Sequence, residues 1–300
     1  MLLDHIVNYC NRAYKNAYLL NICNGCKQPQ KCPANRDCAD CLDEVHFPEQ
    51  HPNGKREYDC NNMLNFYVCR YTHKYCSEIE YALNQIPSLK NFEKYKVLSI
   101  GCGAAPDLMA LEAYRNKNNI DSKIIYKGLD KNVLWQATHA QIENYVKNKN
   151  IKVRFHYVDA IDYMKSKYWP GANLLILQYV ISYLYNTNRI KDIDTFFDDL
   201  IKNVVSRKND NEPIIIIIND VNNNYRGIDY FEDFEEKLRK KRFNVKTSRM
   251  YFNYGIKNEK QRYGTPYSSY KNLYIIPQSI RTTYKSAIYC SSAQLIIEVE

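Results

Sequence analysis

Short apolar runs recur along the last two thirds of the chain and alternate with segments of helical composition. The apolar runs span residues 97–100, 123–129, 151–158, 173–177 and 214–218, and two further strands are expected within 244–252 and 287–299. The intervening helices are predicted at 107–114, 131–147, 193–205 and 231–242. Alternation of strands and helices is typical of a parallel sheet with helices on both faces. The pattern predicts an α/β fold with a doubly wound, mostly parallel, seven-stranded sheet.

A longer helical pattern precedes the first strand. Apolar residues recur at steps of three or four over residues 61–86, which predicts one helix that ends at Pro87. Cys69, His73 and Cys76 form a neighbouring stripe on this helix. These three side chains either bind a metal ion together with a fourth ligand such as Cys60, or simply pack at the edge of the helix.

The connection after the first strand contains two closely spaced glycines, Gly101 and Gly103. Glycine permits a tight turn and a close approach of a ligand to the backbone, and the helix N-terminus behind the turn favours anionic groups. Asp130 ends the second strand, 27 residues after Gly103. Because the crossover returns to an adjacent parallel strand, Asp130 is predicted beside the turn, where it can accept hydrogen bonds from a ribose. An ordinary strand–turn–helix connection is the alternative.

Polar residues also follow the next three strands, at the edge where open α/β sheets bind ligands. They are Asp159-Ala160, Gln178-Tyr179 and Asn219-Asp220. With the glycine turn, this set resembles the class I S-adenosylmethionine-dependent methyltransferases, which have a Rossmann-like sheet. The resemblance extends from about residue 96 to the C-terminus. It departs from the family pattern at Ala105, which replaces the third glycine, and in the absence of an Asn/Asp-Pro-Pro-aromatic tetrapeptide after the fourth strand.

The resemblance implies S-adenosylmethionine as cofactor and a role for each matching residue. The glycine turn would hold the methionine part, Asp130 the ribose and Asp159 the adenine amino group. The cofactor-binding prediction comprises Gly101, Cys102, Gly103, Asp130, Lys131, Asp159, Ala160, Gln178 and Tyr179. Asp220 and Tyr183 are candidate catalytic residues that would orient or deprotonate the substrate. A helix before the first strand often covers the cofactor in these enzymes, so Tyr75 and Glu78 are candidates to face it.

Nine of the eleven cysteines lie between Cys10 and Cys76. Two CxxC pairs separated by eleven residues, Cys23/Cys26 and Cys38/Cys41, can provide four thiolates for a tetrahedral zinc site. The predicted metal-ligand set is Cys23, Cys26, Cys32, Cys38, Cys41 and Cys60. An iron–sulfur cluster or a cysteine-rich loop without metal is the alternative.

Positive charge is concentrated in one segment. Residues 237–262 contain ten Lys/Arg and one acidic residue. The net charge of this segment, +9, equals the formal net charge of the whole chain. Aromatic residues interleave with these cations, a combination that suits RNA, although a solvated basic surface is the alternative. The N-terminus has no signal-peptide pattern and the longest apolar run is too short to span a bilayer. We therefore expect a cytoplasmic protein without a membrane segment.

These patterns predict a Cys-rich, zinc-binding module over residues 1–60 and a helix with linker over 61–95. A methyltransferase domain is expected over residues 96–300, with an insertion near 253–286. The predicted activity is S-adenosylmethionine-dependent methyl transfer, with RNA as the expected acceptor. Two alternatives remain at this point: an inactive methyltransferase fold that works through its metal module, and an NAD-dependent dehydrogenase, because a glycine turn followed by an acid also fits that fold.

Overall fold

An eight-stranded sheet forms the centre of the molecule in the computed structural model, which describes residues 1–19, 38–166, 169, 171–209 and 212–300. The strands are β1 (Lys94–Ile100), β2 (Lys123–Leu129), β3 (Ile151–His156), β4 (Leu174–Gln178), β5 (Ile214–Val221), β6 (Val245–Tyr251), β7 (Thr265–Pro266) and β8 (Ser292–Val299). Their order is β3-β2-β1-β4-β5-β8-β6-β7. The first five positions are parallel, and β8 runs antiparallel between β5 and β6. The predicted mostly parallel sheet is confirmed, with the two-residue β7 as an unpredicted eighth strand.

Helices cover both faces of this sheet. They are α1 (Leu2–Leu19), α2 (Cys38–His46), α3 (Asn61–Asn84), α4 (Pro106–Lys117), α5 (Gln136–Val146), α6 (Ala160–Ser166), α7 (Val180–Asn186), α8 (Ile193–Asn203), α9 (Asp229–Lys240) and α10 (Gln278–Tyr284). Buried residues of α1 to α5 and α10 form one hydrophobic cluster, and those of α6 to α9 form a second on the opposite face. The fold is therefore doubly wound, as predicted.

The isoleucine run of β5 shows why a central strand is apolar throughout. Ile215 and Ile217 belong to the cluster under α3, whereas Ile214, Ile216 and Ile218 belong to the cluster under α8 and α9. Successive side chains of a strand point to opposite faces, so a strand covered on both faces needs apolar residues at every position.

The helix α1 has no counterpart in the prediction, which assigned no structure to the first residues. Leu2, Leu3, Ile6, Val7 and Cys10 are all buried at helical spacing and pack in the same cluster as α3 and α5. Apolar residues at this spacing are typical of an amphipathic helix, so α1 could have been predicted from the sequence. The described parts of residues 1–60 thus share a core with α3, α4 and β1, and the predicted domain bounds stay a prediction.

The described residues contain no helix that combines the length and the apolar character needed to cross a bilayer.

Candidate functional site

A cavity of about 410 Å³ opens at the carboxyl ends of the parallel strands. Gly101 after β1, Asp130 after β2, Gln178 at the end of β4 and Asn222 after β5 all line it. Side chains of α3 and of residues 45–58 form the opposite wall. A cavity of this size is in the range of small-molecule sites, and its position is the one expected for an open α/β sheet.

The glycine turn adopts a left-handed backbone conformation at every second residue. The φ angles are 63° at Gly101, 50° at Gly103 and 58° at Ala105. A Cβ atom at Gly101 would lie 3.1 Å from Val180 Cγ2, so the turn is also crowded at that residue. Ala105 is the N-cap of α4 and keeps the conformation that glycine would adopt with less strain. The departure from the family pattern at Ala105 therefore leaves the turn formed.

Asp130 lies beside this turn, as its spacing predicts. Its Oδ2 accepts a hydrogen bond from Gly103 N at 2.9 Å, and its Oδ1 accepts one from Asn132 N at 2.9 Å. Burial raises the pKa of Asp130 to about 6. The two backbone hydrogen bonds favour the charged form and lower the pKa, but they do not outweigh burial. The folded chain thus holds a carboxylate in a position where additional hydrogen-bond donors would stabilise it.

Asp159 and Ala160 also line the cavity, but Asp159 already has strong partners. Its Oδ2 forms an ion pair with Arg189 at 2.5 Å, and its Oδ1 accepts a hydrogen bond from Ile161 N at 3.0 Å at the start of α6. Burial alone would raise the pKa of Asp159, but the hydrogen bonds from Arg189 and from backbone amides outweigh burial and lower it. Arg189 was missed because nothing in the local pattern of the α7–α8 connection distinguishes it.

The end of β4 contacts α3 directly. Gln178 Nε2 donates to Tyr75 O at 3.0 Å, whereas its buried Oε1 has no hydrogen-bond partner within the described ranges. Tyr179 OH donates to Glu78 Oε2 at 2.8 Å and also contacts Lys74 Nζ, which itself lies 3.0 Å from Glu78 Oε1. Tyr75 lines the cavity, while Glu78 is fully buried and anchors Tyr179 from behind.

Tyr183 and Lys131 line the cavity on its other side and share one partner. Tyr183 OH donates to Glu57 Oε2 at 2.8 Å, and Lys131 Nζ donates to Glu57 Oε1 at 2.9 Å. Burial raises the pKa of Tyr183 to about 12, so the hydroxyl keeps its proton at neutral pH. Tyr183 is suited to orient a bound group as a hydrogen-bond donor, and much less suited to act as a base.

Two residues of the predicted cofactor-binding and catalytic sets do not line the cavity. Asp220 is fully buried and accepts hydrogen bonds from Ile181 N and Val221 N, both at 2.8 Å, which fixes the N-terminus of α7. This geometry favours a structural role over the predicted catalytic one. The Cys102 thiol points into the core above Gly128, where a Cβ atom would lie 2.7 Å from its sulfur. Cys102 therefore packs beneath the turn, and its side chain is directed away from the cavity.

Residues 47–59, which the prediction includes in the zinc-binding module, form part of the cavity wall, and we name them the strap. Glu49 of the strap pairs with Arg226 at 2.5 Å and accepts a hydrogen bond from Tyr185 OH at 3.0 Å. Glu57 provides the contacts to Lys131 and Tyr183. The strap is thus tied to residues that follow β2, β4 and β5.

Aromatic side chains line the part of the cavity next to the strap. They come from the strap, α2, α3 and the turn before α5: His46, Phe47, Tyr58, Tyr67, Tyr71, Tyr75 and Trp135. Burial lowers the pKa of His46 to about 4, so its imidazole is neutral at physiological pH. This wall offers flat, uncharged surfaces to a ligand.

No protein-family model and no curated protein matches the chain. Solved structures of similar fold include a magnesium protoporphyrin IX methyltransferase with bound SAM from Synechocystis PCC 6803, at 10% identity and a TM-score of 0.42, covering 90% of this chain and 100% of that one. A precorrin-6y C5,15-methyltransferase from Geobacter metallireducens GS-15 has 10% identity and a TM-score of 0.36, and the match covers 70% of this chain and 83% of that one. A SAM-dependent methyltransferase from Archaeoglobus fulgidus has 16% identity and a TM-score of 0.34, and the match covers 74% of this chain and 93% of that one. The function therefore has to be inferred from the residues of the cavity.

Half of the predicted metal ligands, Cys23, Cys26 and Cys32, lie outside the described residues. Cys38 and Cys41 are one turn apart on α2, and Cys60 precedes α3. Across the described ranges, no group of three or more His, Cys, Asp or Glu is arranged to hold a metal ion.

The alternative metal site on α3 is likewise not formed among the described residues. The Cys69 thiol lies 3.8 Å from Val7 O, and the Cys76 thiol donates to Pro106 O at 3.2 Å. Burial raises the pKa of both thiols, which opposes formation of the thiolates that a metal ion needs. The packing interpretation fits these residues.

Much of the positive charge of residues 237–262 is paired in the folded chain. Six of its ten cations form ion pairs: Lys237, Arg239, Lys240, Lys246, Arg249 and Arg262. Their partners lie mainly on α8, on α9 and at the C-terminus. The whole segment belongs to the described part of the chain, and none of its residues lines the cavity. Folding therefore leaves a smaller basic surface than the sequence suggests.

Proposed function

We propose that the protein is an S-adenosylmethionine-dependent methyltransferase. The observation that carries the proposal is the pairing of Asp130 with Gly103 N at 2.9 Å, at the carboxyl ends of β1 and β2 and on the wall of the cavity. A half-buried carboxylate at a left-handed glycine turn suits a ligand with a ribose diol. Gln178 and Tyr179, at the end of β4, line the same cavity.

These residues fit the cofactor in their chemistry. Gly101 and Gly103 would admit the methionine part close to the backbone, Asp130 would accept the ribose hydroxyls, and Lys131 would flank them. Asp159 and Ala160 would contact the adenine edge, with the carboxylate shared between the base and Arg189. Gln178 and Tyr179 would border the methionine end, where Glu78 fixes the Tyr179 hydroxyl.

S-adenosylmethionine, when bound, supplies an electrophilic methyl group on a sulfonium. The chain contributes position and exclusion of water. The aromatic wall removes water from one side, and the strap closes the side between α7 and Lys131. Tyr183 holds its proton and can orient an acceptor through its hydroxyl, in place of Glu57, which it binds in this structure.

Isothermal titration with S-adenosylmethionine, S-adenosylhomocysteine and NAD tests this proposal against its alternatives. We expect both sulfur compounds to bind and NAD to bind far more weakly. Tight binding of NAD alone would favour the dehydrogenase, and binding of none of the three would leave a fold that acts without these cofactors. Binding of S-adenosylmethionine without transfer to any acceptor would favour the inactive, metal-module protein.

We also propose zinc for the thiolates of Cys23, Cys26, Cys38 and Cys41. The support is the spacing of the two CxxC pairs, together with the placement of Cys38 and Cys41 at i and i+3 on α2, which puts both side chains on one helix face. Cys32 and Cys60 would be replacement ligands.

RNA is our proposed acceptor. Its support is the set of cations in residues 237–262 for which the described residues provide no ion pair: Lys241, Arg242, Lys257 and Lys260. Lys257 and Lys260 follow β6, at the edge of the sheet that holds the cavity, and could contact phosphates while the acceptor group enters the cavity. Lys241 and Arg242 follow α9 at the opposite edge and could contact phosphates of a longer RNA.

A further inference from the structure

The backbone carbonyl of Gly103, in the middle of the glycine turn, is held by a buried histidine. His139 lies on α5, is only 1% exposed and does not line the cavity. Its Nε2 lies 2.8 Å from Gly103 O, and its Nδ1 lies 2.9 Å from Tyr157 OH. Its ring stacks on Phe155, with ring centroids 3.7 Å apart and an interplanar angle of 7°. Both ring nitrogens and one ring face therefore have partners.

These contacts fix the tautomer of His139. A carbonyl oxygen only accepts hydrogen bonds, so Nε2 carries a proton and donates it to Gly103 O. Burial lowers the pKa of His139 to about 4, so the imidazole is neutral at physiological pH and Nδ1 carries no proton. Nδ1 therefore accepts its hydrogen bond, and Tyr157 OH donates it. A single arrangement of protons satisfies all three groups.

Gly103 is the residue of the turn whose conformation such a contact can decide. Its φ of 50° is left-handed, and a glycine has access to many other backbone conformations because it has no Cβ atom. Its N–H donates to Asp130 Oδ2 at 2.9 Å, and its carbonyl accepts from His139. Both polar groups of Gly103 are thus bound to other elements of the fold, which restricts the two peptide planes that flank it. Gly103 itself lines the cavity, so this restriction shapes the cavity wall.

We propose that His139 is a positioning residue for the cofactor: its Nε2–H holds the Gly103 carbonyl, so that the turn is already formed, with its N–H on Asp130, before S-adenosylmethionine binds. The inference rests on the proposed methyltransferase function. A binding site that is ordered in advance loses less free energy to ordering when its ligand binds. A continuous series of hydrogen bonds connects the end of β3 to Asp130 through the imidazole and Gly103.

A packing role for His139 makes different demands on the side chain. Packing needs the flat ring that stacks on Phe155, whereas positioning needs the donor that reaches Gly103 O. Phenylalanine keeps the ring and lacks the donor. Glutamine lacks the ring, but its Nε2 can take the place of the imidazole Nε2. Substitutions at this position therefore separate the two roles.

The first measurement needs no cofactor. Long-range proton–nitrogen NMR of the full-length protein at neutral pH shows which imidazole nitrogen carries the proton. We expect the proton of His139 on Nε2 and a bare Nδ1. A proton on Nδ1 in the folded protein would overturn the inference, because Nε2 could then not donate to Gly103 O.

The second measurement is calorimetric titration of the same protein and its variants with S-adenosylhomocysteine. His139→Phe removes the donor, His139→Asn is too short to reach Gly103 O, and His139→Gln keeps a donor in reach. We expect the first two variants to bind about two- to tenfold more weakly, which is the contribution of one hydrogen bond, and His139→Gln to restore most of the affinity. His156→Phe changes a histidine at the end of β3 that does not line the cavity, so it is the matched control and should bind like the wild type.

Two titration results would overturn the inference. They are wild-type affinity in His139→Phe, and an equal loss of affinity in His139→Gln and His139→Asn, which would show that the ring and not the donor is needed. Should His139→Phe fail to fold, the comparison of His139→Gln with His139→Asn and the NMR measurement still decide. Absence of S-adenosylhomocysteine binding by the wild type would instead refute the proposed function, so the two failures are distinguishable.

Discussion

Removal of the Asp130 carboxylate should weaken cofactor binding without unfolding the protein. In the proposed site, Asp130→Ala would delete the acceptor for two ribose hydroxyls. A hydrogen bond to a charged group contributes about 1.5–3 kcal/mol, and about 1.4 kcal/mol corresponds to tenfold in affinity. We therefore expect S-adenosylhomocysteine affinity to fall roughly ten- to hundredfold.

The stability cost of the same change should be small. The carboxylate accepts two backbone hydrogen bonds, but its pKa of about 6 shows that burial of the charge outweighs them. The raised pKa already includes these two hydrogen bonds, so the charged carboxylate is disfavoured in the folded chain by roughly 3 kcal/mol in net terms, and its removal should cost little stability. Calorimetric titration and thermal unfolding of the variant, with Asp162→Ala as the exposed acidic control, measure both effects.

The pH dependence gives an independent check. The raised pKa of Asp130 means that the folded chain binds this proton more readily than the unfolded chain between about pH 4 and 6, so the contribution of this group to stability falls as pH rises through that window. Ligand hydroxyls prefer the charged form, so wild-type affinity should fall about tenfold from about pH 7.5 to about pH 5. His46 and His139, each with a pKa of about 4, stay neutral in this range. Flat affinity over this range, or an Asp130→Ala variant that binds as tightly as the wild type, would refute the reasoning.

Three further predictions concern other parts of the chain. Purified protein should carry zinc by elemental analysis, and Cys23→Ser should release it; protein that is free of metal yet fully folded would contradict the site. Ala105→Gly should raise the free energy of unfolding by about 0.5–1 kcal/mol in urea titration, because glycine adopts φ of 58° without strain; a clear decrease would show that the alanine methyl is needed for packing. Charge reversal of Lys241 and Arg242 should weaken RNA binding and flatten its salt dependence, by about 0.7–0.9 in log–log slope for each phosphate that is no longer neutralised; absence of RNA binding at low salt would refute the role of residues 237–262.

The sequence was informative wherever topology alone decides position. Gly103 and Asp130 are 27 residues apart, yet one crossover between adjacent parallel strands brings them within hydrogen-bond distance. The same rule placed Asp159 and Gln178 on the cavity. These predictions need only the order of strands, which the alternating pattern supplies.

Side-chain direction and long-range pairing were harder to predict. Asn219 points toward Glu78 of α3, and the next residue, Asp220, points to the opposite face and binds the N-terminus of α7. A one-residue difference in a strand therefore separates the two roles, and the sequence pattern did not resolve it. Glu57 meets Tyr183 across 126 positions of chain, so no local periodicity indicates the pair.

The two walls of the cavity differ in how firmly they are held, and this difference determines where a ligand can leave. The α3 wall is anchored by the fully buried Glu78. The strap is held at Tyr58 by a hydrogen bond from Asn132 Nδ2 at 2.7 Å, and elsewhere by Glu49 and Glu57, whose side chains are 58% and 50% exposed. Exposed ion pairs contribute little and are screened by salt. Exchange of ligands should therefore occur on the strap side and become faster as ionic strength rises. If product release limits turnover, the rate at saturating substrate will increase with salt, opposite to the salt dependence of RNA affinity.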